Sequence, residues 1–419
     1  MNIDIPKGVQ TFNTEESFQV KYLENKIAQT FKQWGYDRIL LPTIEYYDVH
    51  KKGLGKYLIN KTFRLIDRTD GEIITLRADY TSQIARYIAS LRKKEFPIRY
   101  YYSGIIYRYE SPKADKTWEI RQTGIELIGS NFLEADAEVI AIASNVIHDL
   151  GIDNFQIDLN NIKLFNAIKK ILKLDENRFN KFMEHIKNRE IYYLKGFLRD
   201  FDIDETLKEF ITNIPKLQGD INFIKQLKNK MSNYPEIQNV FDEFIKIYNI
   251  LEHYQLNEKV FFDLGEPKEF SYYTGIVFEI FIKDFKKPIG QGGRYDDLLG
   301  KYNGDYPATG FAFDILSLWK YLVEKNLIQE KNKKDFYIID ITQDKDNAYL
   351  IAKELRKKGY SVARDITERE VNESIKFAFD NGFRQVIVIG IDSIPDSIYI
   401  YTDLEHFQKK KINNFLKEL

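Results

Sequence analysis

Apolar residues Phe18, Tyr22, Leu23, Ile27, Phe31 and Trp34 recur at helical spacing in a segment that opens on Thr14 and Glu15. Gly35 follows, where a left-handed cap ends a helix. Arg38-Ile39-Leu40-Leu41-Pro42 is an apolar run closed by proline and predicts a strand reaching a sheet edge. Phe63 to Asp67 and Ile73 to Arg77 flank a turn carrying Asp70-Gly71, which predicts a hairpin. Thr81 to Leu91 predicts a helix. Ile98 to Tyr109 and Arg121 to Gly129 read as strands around a polar loop with Pro112, Lys113 and Lys116. The pattern is that of an antiparallel sheet of six or seven strands flanked by helices, not a doubly wound parallel sheet.

From about 160 to 258 the chain turns helical, charged and lysine-rich, which predicts a helical insertion. Strands return at Val260 to Leu264 and Ile276 to Ile280. Gln291-Gly292-Gly293-Arg294-Tyr295 reads as a turn, and Gly310 as the start of a helix running towards Lys325. A polar linker, Glu330 to Lys334, precedes a different rhythm. Strands at Phe336 to Ile341, Ser361 to Ala363, Gln385 to Ile391 and Ile398 to Tyr401 alternate with helices that end at Gly359 and Gly382. Lys409-Lys410-Lys411 reads as a solvated helix start. The expected fold class is α+β: a core over 1–325 with its insertion, then a C-terminal α/β domain with a mixed sheet over 333–419.

Composition narrows the chemistry. The 419 residues contain no cysteine, which excludes disulfides, thiolate metal sites and a thiol nucleophile and makes a cytoplasmic location the default. No run of about twenty apolar residues occurs, and Met1 to Gln10 carries early acid and proline, so neither a membrane span nor a secretory leader is expected. A net charge of −1 does not advertise nucleic-acid binding. His50, His148, His185, His253 and His406 stand in no triad or metal-ligand spacing, so no metal and no cofactor is expected.

Four stretches, in this order and spacing, resemble class II aminoacyl-tRNA synthetases of the histidyl type. Gly35 to Glu45 is similar to that class's first motif, which builds a dimer interface, and Tyr107-Arg108-Tyr109-Glu110 to its second. Leu76-Arg77-Ala78-Asp79-Tyr80-Thr81 is similar to the histidyl pattern Leu-Arg-Pro-Glu-x-Thr. Tyr272-Tyr273 and Gly292-Gly293-Arg294-Tyr295-Asp296 resemble the stretches that line the histidine pocket. The resemblance covers roughly residues 5 to 320, and the terminal unit resembles the anticodon-binding domain.

Carried over by position, the resemblance implies a histidine site made of Asp79, Thr81, Gln122, Glu126, Tyr273 and Tyr295. It also implies that the nucleotide side is dismantled. Leu316 and Ser317 stand where the third motif has glutamate and arginine, Trp118 replaces a loop arginine, and Lys268 another arginine. Arg108 and Lys268 remain as a residual phosphate or anion contact. A histidine pocket without a working ATP site resembles the regulatory subunits of ATP phosphoribosyltransferase, with Tyr272 to Glu279 as their hallmark. That resemblance implies a non-catalytic homodimer that partners the short catalytic subunit and takes histidine as effector; a divergent active histidyl-tRNA synthetase is the alternative. Plainer roles stay open for single residues. Gln122 and Glu126 fit a self-satisfied buried network, Tyr273 and Tyr295 fit core aromatics, and Arg108 fits an ion pair with Glu110 or Glu119.

Overall fold

The computed structural model describes residues 4–110, 117–266, 272–328, 333–392, 394 and 396–418. Contacts divide the chain into two compact units, Met1–Thr11 with Val20–Ile328, and Phe12–Gln19 with Gln329–Leu419.

The first unit is built on a nine-stranded sheet. Its centre is six antiparallel strands in the order Ile98–Tyr107, Glu119–Ile128, Ala308–Asp314, Gly290–Arg294, Ile276–Ile282 and Phe155–Asn161. The strand Asp37–Arg38 adds in parallel at one edge. At the other edge Val260–Asp263 pairs in parallel with Phe155–Asn161, and the two-residue strand Gln218–Gly219 closes the row. The sheet is therefore wider than expected, because short parallel edge strands carry too few residues to show a period. The α+β class stands. The apolar helix Leu133–Asp149 buries Val139, Ile140, Ala143, Val146 and Ile147 against this sheet.

Several expectations change. The run Arg38 to Pro42 joins the sheet only at its start, through Asp37–Arg38 and the Ile39 amide, which donates to the Tyr101 carbonyl at 2.9 Å, and Leu40 is left 77% exposed. The hairpin strands Arg64–Ile66 and Ile73–Leu76 form, but in a separate three-stranded sheet with Ile44–Tyr46. Gln291 to Arg294 is no turn: Gly290–Arg294 is a central strand paired on both sides. Its glycines serve close approach, since a Cβ on Gly292 would lie 2.4 Å from the Gly310 carbonyl oxygen. Gly310 likewise sits inside the strand Ala308–Asp314, and the helix begins only at Ile315, after Asp314 caps it. The insertion starts later than expected. Phe155–Asn161 is still a strand, and helices run from Lys163 to His253.

The second unit has a five-stranded mixed sheet in the order Val362–Arg364, Lys334–Asp340, Phe383–Ile389, Ser397–Tyr401 and Phe407–Lys411. The first three strands are parallel and the last two pairings antiparallel. Gly359 and Gly382 adopt φ of +90° and +81° where helices end, the conformation glycine reaches without strain. Lys409-Lys410-Lys411 is an edge strand rather than a helix start, and the helix begins at Ile412. Lysines on an edge discourage pairing with another chain.

Candidate functional site

One face of the central strands, the helix Tyr80–Ser90 and the tyrosines after residue 271 enclose a narrow cleft of about 30 Å³. Asp79, Thr81, Gln122, Glu126, Tyr273 and Tyr295 all line it, together with Arg108. Local structure explains the convergence. Gln122 and Glu126 stand four apart on the strand Glu119–Ile128 and so share a face. Asp79 is the N-cap of the Tyr80–Ser90 helix, its Oδ2 accepting from Ser82 N–H at 2.8 Å, and Thr81 lies in the first turn.

Glu126 is at the centre, 1% exposed. Its Oε1 accepts from Thr81 Oγ1 at 2.6 Å, and its Oε2 accepts from the Tyr295 hydroxyl. Gly310 is its cross-strand partner, and a Cβ there would meet Glu126 Oε2 at 1.8 Å and the Ile125 carbonyl oxygen at 2.5 Å. Only glycine leaves room for the carboxylate. Burial pushes the Glu126 carboxyl up to about 8, against the pull of the Thr81 and Tyr295 hydrogen bonds. Asp79 is also raised by burial, with the Arg108 guanidinium opposing. Burial first, then the Glu126 charge, raises the Tyr273 and Tyr295 hydroxyls, which stay neutral. The cleft offers carboxyl and amide acceptors beside phenol rings, chemistry suited to an ammonium and an aromatic ring.

Among the described residues, the neighbouring positions Leu316, Ser317 and Trp118 carry no cation. Ser317 donates through Oγ to Asp314 Oδ2 at 2.8 Å, and the Leu316 and Ser317 amides donate to Asp314 Oδ1. The site of the third-motif arginine has become part of a helix cap. Trp118 donates its indole N–H to the Glu110 carbonyl at 2.9 Å, and its ring lies 5.5 Å from both Phe63 and Tyr109. Glu110 pairs with Lys61, whereas Arg108 donates through Nε to the Ala78 carbonyl at 3.0 Å. Lys268 lies outside the described residues.

Comparison with known proteins identifies the family. A model of the family described as histidyl-tRNA synthetase matches residues 8–318. An ATP phosphoribosyltransferase regulatory subunit of Geobacter sulfurreducens is 32% identical over 398 residues, 94% of this chain and 91% of the relative. That of Thermoanaerobacter sp. is 33% identical, covering 92% of this chain and 99% of the relative. The chain belongs to the ATP phosphoribosyltransferase regulatory subunit family. Among solved structures, a regulatory subunit/histidyl-tRNA synthetase from Bacillus halodurans superimposes with a TM-score of 0.79 at 26% identity, over 92% of this chain and 98% of that one. A histidyl-tRNA synthetase from Nostoc shares the fold, with a TM-score of 0.80 at 21% identity, over 100% of this chain and 99% of that one. The family relatives are matched over nearly their full length, so the C-terminal unit is no departure from the family.

Among the polar residues that line the cleft, Tyr102 and Gln291 carry no role in the sequence reading, and Tyr272 enters it only within the Tyr272-Tyr273 stretch. Tyr102 is buried, stacks on Tyr80 at 4.2 Å, and hydrogen-bonds Thr81. Its signal was hidden in the run Tyr100-Tyr101-Tyr102. Tyr272 lies 5.0 Å from Tyr273 and 5.9 Å from Tyr295, ring to ring. Gln291 lines the cleft from the strand misread as a turn. Arg294, by contrast, turns away and grips buried Asp136 at 2.8 Å, with the Ser130 and Phe132 carbonyls as further acceptors.

Proposed function

We propose that this chain is a non-catalytic regulatory subunit that assembles with the short ATP phosphoribosyltransferase catalytic subunit and senses free histidine in the cleft. The carrying observation is the asymmetry around Glu126: the acceptors and tyrosines of the amino-acid half are gathered in one cleft, while Ser317 is spent on a helix cap. In this reading Glu126 and Asp79 meet the cationic groups of histidine, Gln122 and Thr81 supply further polar contacts, and Tyr273 and Tyr295 flank the ring. Arg108 meets the carboxylate, the anion contact expected of it. Glu126, held largely protonated by burial, gives up its proton when a cation enters.

Sensing requires histidine to bind the inhibited and active assemblies with different affinity. A coupling of about 1–3 kcal/mol suffices for strong feedback. The exposed apolar residues Leu40, Ile44, Leu65, Ile66 and Ile73 support a homodimer through the segment Gly35 to Glu45. The test is a calorimetric titration with histidine, paired with the inhibition curve of the assembled enzyme. Saturable binding in the wild-type chain, lost in Glu126→Ala together with inhibition, is expected. Unchanged inhibition in that variant places the sensing site elsewhere.

A further inference from the structure

His50 lies behind the cleft, in the helix Tyr47–Gly53, with 2% of its surface exposed. Its Nε2 accepts from the Ala78 N–H at 3.0 Å, and its Nδ1 faces Ser82 Oγ at 3.3 Å. Because Nε2 accepts, the ring proton sits on Nδ1 and points at the serine oxygen. Burial, helped by the Arg86 guanidinium, lowers the imidazole to about 4, so the ring is neutral at ordinary pH. It is a fixed acceptor, not a switch.

Two observations make this more than packing. Ala78 stands where the histidyl pattern has proline, which has no N–H to place. Alanine adds a donor at a position that is 0% exposed, and a buried donor left unpaired is costly. The other observation is on the opposite side of the same residue. The Ala78 carbonyl accepts from Arg108 Nε at 3.0 Å, so both of its backbone groups are gripped, one from behind the cleft and one from its wall. The next residue is Asp79. Ser82, which His50 also touches, donates its N–H to Asp79 Oδ2 at 2.8 Å.

We infer that His50 is the positioning residue of the cleft, fixing the Ala78 peptide from behind and so setting where Asp79 and Thr81 present their oxygens. The inference rests on the reading of the cleft as a histidine site and adds the residue that holds its geometry.

The test is histidine titration of the full chain as wild type, His50→Phe, His50→Gln, and the double variant His50→Phe/Ala78→Pro, with thermal unfolding alongside. Phenylalanine keeps ring volume but orphans the Ala78 N–H, and affinity should fall about tenfold. Glutamine restores an acceptor and should stay within about threefold of wild type. Proline at position 78 deletes the donor, so the double variant should recover most of the lost affinity. A purely space-filling role for His50 gives neither rescue. Wild-type affinity in His50→Phe overturns the inference, as does a folded double variant as weak as His50→Phe. Should His50→Phe fail to fold, the double variant decides: folding with near wild-type affinity supports the inference, and failure overturns it. A wild-type chain that binds no histidine removes the reading of the cleft and this inference with it. Wild-type binding with an unaffected His50→Phe removes the inference alone.

Discussion

The amino-acid half of the cleft and the nucleotide half share one sheet, yet their polar groups point to different ends. On one side Glu126, Thr81 and Tyr295 bond to one another in the wall of the cleft. On the other, Asp314, Leu316 and Ser317 satisfy one another inside a helix cap, and Trp118 is wedged among Phe63, Tyr109 and Gly8. The first arrangement leaves neutral phenols and a raised carboxyl awaiting a partner. The second places no cation at Leu316, Ser317 or Trp118, where charge developing on a phosphate needs preorganised cations. The polar set around Glu126 and the positions of the phosphate chemistry are thus carried by different strands and helix ends, so one can change without the other.

The largest expected effect tests the second half. Histidine-dependent ATP–pyrophosphate exchange should be undetectable, and installing Leu316→Glu with Ser317→Arg should not restore it, because Trp118 still stands in place of the second-motif arginine. Exchange at an ordinary synthetase rate would break the comparison. Next comes the buried ion pair beneath the first half. Asp136→Ala leaves buried Arg294 with Asp296, at 3.2 Å, as its remaining carboxylate and should cost about 3 kcal/mol in chemical denaturation. Gly310→Ala forces a methyl against the Ile125 carbonyl and Glu126, and should lose about 1–3 kcal/mol along with histidine binding.

The pH dependence sharpens the comparison further. Between the ordinary carboxyl range and about 8, folded Glu126 keeps a proton that the unfolded chain has released. Its contribution to stability is therefore full in acid and is lost as pH rises through about 8. Histidine binding should release a proton below that pH and strengthen as pH approaches it, read by calorimetry in buffers of different ionisation enthalpy. Glu126→Gln should abolish the proton release. The smallest effect belongs to Ser317→Ala, which removes one hydroxyl from the Asp314 cap. It should cost at most about 1 kcal/mol and leave histidine affinity unchanged.

Much of the site was legible because its residues sit in motifs whose order survives in the chain. Leu76 to Thr81 and Tyr272 to Asp296 led to the lining that the fold assembles from strands far apart in sequence. Glycine misled the reading of local structure. Gly292, Gly293 and Gly310 look like turn and helix-start residues, yet they occupy central strands, where the reason for glycine lies across the sheet. Lys409 to Lys411 failed for a related reason: three lysines carry no period, and only the partner strand Ser397–Tyr401 makes them a strand. The role of His50 was illegible because its donor, Ala78, comes from a segment 28 residues away.

The parallel pairing of Phe155–Asn161 with Val260–Asp263 bears on how this scaffold could be remodelled. A chain that leaves one strand and re-enters its parallel neighbour must travel back along the sheet, which takes about a dozen residues or more. The helices Lys163 to His253 make that return, and they donate Gln218–Gly219 to the sheet's margin on the way. The segment is thus a replaceable cassette rather than a removable one. A designer could swap it for a shorter helical crossover, but splicing Asn161 directly to Val260 would unpair the margin and pull the Phe155–Asn161 strand out of register beside the Tyr272–Tyr273 wall of the cleft.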